Sequence, residues 1–83
     1  MAQKSVFTQR YSRFLDAIIA ARKSAELTQQ ELAERLGRPQ SYVSKYERGE
    51  RRLDVLELID IADALGVEPC HLLNALREEG SKP

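Results

Sequence analysis

Apolar residues recur along this chain at intervals of three and four, the period of helices packed on one face. Tyr11, Leu15, Ile18, Ile19 and Ala21 form a stripe that predicts a first helix over residues 8–25, with Leu27 closing that face in the loop beyond. Leu32, Ala33 and Leu36 mark a second helix, and Val43 and Tyr46 a short third one. Leu58, Ile61, Ala62 and Leu65 mark a fourth; Leu72, Leu73 and Leu76 mark a fifth. No segment reads as a strand. The expectation is an all-α, compact five-helix bundle, one domain over 1–83 with its core at about 8–79. The ends, up to residue 6 and over 80–83, are expected to fray.

The polar positions punctuate this pattern. Thr28 with Glu31 three residues on is a capping box: the hydroxyl accepts an orphan N–H, and the carboxylate reaches back to the cap. Asp54 with Glu57 repeats it ahead of the fourth helix. Gly37 and Gly66 end the second and fourth helices, and Gly49 ends the third. Pro39 and Pro69 fit the first helical position, where no N–H is required.

Residues 28–49 therefore read as two short helices joined by a tight turn. Ala33 is small where the two must cross, and Gly37 follows it by four residues. The third helix turns Val43 and Tyr46 inward, which leaves Gln40, Ser41, Ser44 and Lys45 facing out. That is the layout of a helix-turn-helix, whose second helix enters the DNA major groove.

Composition narrows the class. Eighty-three residues with 42% hydrophobic and 31% charged content suit one small soluble domain. No apolar run approaches the length of a membrane span, and the amino-terminal segment lacks the apolar stretch of a signal peptide, so a cytoplasmic location is expected. Cys70 is the only cysteine and His71 the only histidine, too few for a disulfide or a metal cluster. No cofactor or small-molecule ligand is implied. A glycine-rich phosphate loop and a nucleophile–base pair are both missing, which argues against an enzyme.

Net charge is zero, yet its distribution is polar. Residues 1–25 carry +4, residues 38–52 carry +3, and residues 53–79 carry −6. Local field rather than net charge governs attraction to phosphate, so the basic third helix stays a candidate DNA surface. Val55, Leu56, Ile59 and Leu73 exceed what a small core can hide, and an exposed apolar patch suggests a partner.

The segments LTQQELAERLG, QSYVSKYERG and LELIDIADALGV, in this order and spacing, resemble the phage-repressor-like (XRE-type) helix-turn-helix family of transcriptional regulators, over roughly residues 11–76. The resemblance implies the lambda-repressor-like fold and a repressor-like regulator. It would bind double-stranded DNA as a homodimer through helices four and five, on a palindromic operator with half-sites about 34 Å apart. It places Gln29 on the DNA backbone, and Gln40 and Ser41 on phosphate and base edges. Lys45 points to the groove and can reach a guanine edge, with Ser44 beside it. Tyr42 either stacks on the sugar–phosphate wall or a thymine methyl, or packs as a partly buried residue. Arg48, Arg51 and Arg52 are expected along the phosphates. Arg22 and Glu47 match a family pair and should form a buried ion pair. The family often has Ser or Thr as cap where this chain has Pro39, so that cap would fall to Arg38 or to the backbone alone. The alternative is a helical protein-interaction module of the same fold that binds no DNA.

Overall fold

Thr8 opens the first helix as its cap, its hydroxyl accepting the Tyr11 N–H at 3.1 Å. The computed structural model describes residues 8–77; the expectations for the two ends lie outside them. The elements run α1 (Gln9–Ser24), α2 (Gln29–Leu36), α3 (Gln40–Glu47), α4 (Val55–Leu65) and α5 (Pro69–Leu73), followed by a 3-10 turn over Asn74–Leu76. The described residues are all-helical, five helices in the expected order.

The caps explain the boundaries. Both capping boxes are closed in both directions, at Thr28 with Glu31 and at Asp54 with Glu57. Gly37 and Gly66 adopt φ values of 68° and 74°, the left-handed conformation that ends a helix without a Cβ clash. One position departs from expectation. Pro39 is the cap of α3 rather than its first helical residue, with φ −69° and ψ 156°. The tight turn after Gly37 leaves Pro39 extended, and no side chain caps α3. The backbone alone closes the first turn, through the Tyr42 N–H on the Pro39 carbonyl at 3.0 Å. Helix α5 is also shorter than expected, so Leu76 falls in the 3-10 turn.

A single core gathers one face of every helix. Leu15, Ile18, Leu32, Ala33, Val43, Tyr46, Ile61 and Ala62 are essentially without solvent exposure. The buried stripe of α1 runs through Tyr11, Phe14, Leu15, Ile18 and Arg22. It therefore includes Phe14, which the sequence stripe omitted, while Ile19 and Ala21 stay half-buried at its edge. Helix α2 packs on both α3 and α4, and α1 crosses α3 and α5, so α3 is braced from behind along its length.

Candidate nucleic-acid interface

Helix α3 is built to present one side. Val43, Tyr46 and Glu47 are buried. Gln40, Ser41, Lys45 and Arg48 are exposed, and Ser44 is half-buried between them. Positions 40, 41, 44, 45 and 48 share a face because the helix repeats every three to four residues. The Ser44 hydroxyl donates to the Ser41 carbonyl at 3.3 Å, so it is already engaged within the helix.

The position of Gln40 is set from the core outward. Arg22 donates to Glu47 through Nε at 2.8 Å and Nη2 at 3.1 Å, a two-pronged pair with side chains only 10% and 4% exposed. Its Nη1 also donates to the Leu27 carbonyl at 2.9 Å. The hydrogen bond to Glu47 raises the Arg22 pKa above its ordinary value against the opposing effect of burial. Glu47 Oε1 then accepts from Gln29 Nε2 at 2.8 Å, and Gln29 Oε1 accepts from Gln40 Nε2 at 3.3 Å. Four side chains thus run in series from α1 to the exposed start of α3. The expected Arg22–Glu47 pair is present, and Gln29 is bound into it.

Tyr42 is half-buried and packed against the core, its ring edge-on to Tyr46 at 5.4 Å. The guanidinium of Arg38 lies 4.4 Å from the Tyr42 ring centre and that of Arg51 lies 5.2 Å from it. Burial raises the Tyr42 hydroxyl pKa. The structure thus supplies the packed arrangement for Tyr42 and brings Arg38 beside α3. The sequence offered Arg38 as a possible cap of α3; its side chain does not cap that helix and stacks on Tyr42 instead.

The loop arginines do not act as one group. Arg48 pairs with Glu50 through two bonds at 2.8 and 3.1 Å, both side chains exposed. Arg51 pairs with Glu57 at 3.0 and 3.2 Å, and the same carboxylate accepts the Asp54 N–H in the α4 capping box. Arg52 turns the other way, its guanidinium 4.8 Å from the ring centre of Tyr11 on α1. Tyr46 carries a separate anomaly: its hydroxyl is buried with no hydrogen-bond partner among the described residues. Burial, reinforced by the neighbouring Glu47 charge, pushes that hydroxyl's pKa well up.

This geometry agrees with the relatives of the chain. A family model described as helix-turn-helix matches residues 18–72, the span from the middle of α1 through most of α5. The chain belongs to the XRE-type helix-turn-helix family. It is a helix-turn-helix transcriptional regulator of that family. The regulator is similar to an XRE-family-like protein from Pseudomonas syringae, with 51% identity, a TM-score of 0.77, and 89% of this chain and 88% of the other covered. It is 40% identical over 57 residues to an uncharacterized HTH-type transcriptional regulator, y4dJ, of Sinorhizobium fredii, covering 69% of this chain and 74% of that one. The restriction-modification controller protein C.AhdI of Aeromonas hydrophila is 33% identical, with a TM-score of 0.69 and coverage of 74% and 92%. Among the described residues of the regulator, no cluster of three or more potential metal ligands occurs, and no helix is long and apolar enough to cross a membrane.

Proposed function

We propose that the regulator binds double-stranded DNA sequence-specifically, with α3 in the major groove, as a homodimer on a palindromic operator. The observation that carries this reading is the exposed face of α3, held at its first residue by the series Arg22–Glu47–Gln29–Gln40. Gln29 and Gln40 set position. Ser41 and Lys45 read base edges, with Ser44 at their side and Tyr42 wedged behind them. An ordered side chain loses less entropy on binding than a free one, which favours a pre-set Gln40. Arg48, Arg51 and Arg52 contact phosphates and carry no sequence information. Arg38, stacked on Tyr42, joins them.

A short helix offers few base contacts, and two-fold symmetry doubles them. Val55 and Leu56 on α4 are 70% and 73% exposed, and Ile59 and Leu73 are also exposed. This apolar surface on α4 and α5 supports a self-complementary dimer contact. The similarity to a restriction-modification controller protein fits a compact regulator of this kind.

Selection of bound duplexes from a random pool tests the whole reading. The expected result is a two-fold symmetric consensus, bound with affinity that falls steeply as salt rises. A pool that never enriches would overturn it. The second reading, a protein-interaction module, draws on the pairing of Arg48 and Arg51 with carboxylates. It predicts no salt-dependent duplex binding.

A further inference from the structure

Two of the arginines assigned to phosphate already hold a carboxylate, and the two pairs are built differently. Glu57 belongs to the fold. Its side chain is 12% exposed, it closes the α4 capping box, and its partner Arg51 also lies against the Tyr42 ring. Glu50 is 52% exposed in its side chain and gives both carboxylate oxygens to Arg48, at 2.8 and 3.1 Å.

The turn that ends α3 puts this carboxylate in place. Gly49 takes φ 78°, the left-handed conformation, and the Glu50 N–H reaches back to the Lys45 carbonyl at 2.9 Å. Glu50 is thereby folded over the last turn of α3, beside Arg48 and close to Lys45. The hydrogen bonds from Arg48 lower the Glu50 carboxyl pKa, and the Lys45 charge adds to them. A negative charge thus stands at the edge of the face assigned to a polyanion.

Two effects follow. The Nε and Nη2 groups of Arg48 are engaged, so a phosphate that takes this guanidinium two oxygens at a time must displace the carboxylate. The pair is also neutral, and so adds nothing to long-range attraction. Stability gives little reason for it, since an exposed ion pair contributes little. We propose that Glu50 is an internal competitor of DNA phosphate: it occupies Arg48 in the free regulator, is displaced when duplex binds, and so weakens binding to every sequence alike. The inference rests on the DNA-binding reading above and adds a residue that sets its strength. Weaker phosphate contact leaves base contacts a larger share of the affinity.

A double-mutant cycle on the full chain tests this, with Arg48→Gln, Glu50→Gln and the two combined. Affinity is read by fluorescence anisotropy at one fixed salt concentration, on the selected consensus duplex and on a random-sequence duplex. Circular dichroism checks the folding of each variant, and Glu50→Ala replaces Glu50→Gln should the latter not fold. Glu50→Gln should bind both duplexes about threefold more tightly, the size expected for release from an exposed ion pair. Arg48→Gln should lose about threefold more affinity in the Glu50→Gln background than in the wild type, because only there is Arg48 free beforehand. Glu50→Gln binding no tighter than wild type overturns the inference. So does an Arg48→Gln loss of equal factor in both backgrounds, which would make Glu50 a repelling charge and not a competitor. Either result with a wild-type chain that binds duplex sinks this inference alone. If neither the wild type nor Glu50→Gln binds either duplex, the DNA reading has failed and this inference fails with it.

Discussion

Gln29 Nε2 donates to Glu47 Oε1 at 2.8 Å, so the residue that opens α2 is tied to the buried carboxylate that closes α3. The bond gives Glu47 two jobs. It compensates the Arg22 charge inside the fold, and it orients a side chain at the surface. Because the amide nitrogen of Gln29 faces Glu47, its oxygen faces Gln40.

Breaking the series at its buried end should be expensive. Arg22→Ala leaves the Glu47 carboxylate buried without its ion-pair partner and should cost about 3–5 kcal/mol. Urea unfolding monitored by circular dichroism checks this. Unchanged thermal stability would mean that the pair contributes nothing.

The buried Tyr46 hydroxyl makes the opposite prediction. It has no hydrogen-bond partner among the described residues, so Tyr46→Phe removes a desolvated polar atom and keeps the ring. Stability should hold or rise by up to about 1 kcal/mol. A clear loss in the same urea assay would reveal a partner for that hydroxyl.

Lys45 and Arg51 should separate by the kind of effect they have. Lys45→Ala is expected to alter base preference at one operator position, seen in a panel of single-substituted duplexes. Arg51→Ala should weaken all duplexes alike and reduce the salt slope by about one. A uniform loss from Lys45→Ala would make Lys45 a phosphate contact instead.

Glu57 predicts a pH dependence. Burial alone would push its carboxyl up, but the hydrogen bonds from Arg51 and the Asp54 N–H outweigh it and hold the pKa below the ordinary value. A depressed carboxylate stabilises the fold above its unfolded-state pKa, and that contribution fades as pH falls through the folded-state value. Glu57→Gln keeps a side-chain acceptor for the cap and loses the ion pair. It should destabilise by less than about 1 kcal/mol at neutral pH, because Arg51 is 40% exposed. The difference from wild type should vanish in acid below the carboxylate range; a gap that persists there would rule out the ionic origin.

The helices and their ends were legible in the sequence, because caps and spacing act over three or four residues. Thr28 with Glu31 and Asp54 with Glu57 needed no tertiary context. The outward face of α3 also followed from period alone, and the surplus of Val55, Leu56, Ile59 and Leu73 was visible by counting. The Arg22–Glu47 pair was expected through family resemblance, since two charges 25 positions apart give no local signal. Tertiary structure decided what the polar side chains do. It set Gln29 between Glu47 and Gln40, and divided the loop arginines among Glu50, Glu57 and Tyr11. Gln29, Glu47 and Gln40 meet only where α2 packs on α3, and Arg52 meets Tyr11 only where the α3–α4 loop packs on α1. A sequence states the charge of each residue; the distance that gives the charge a partner exists only once the chain has closed on itself.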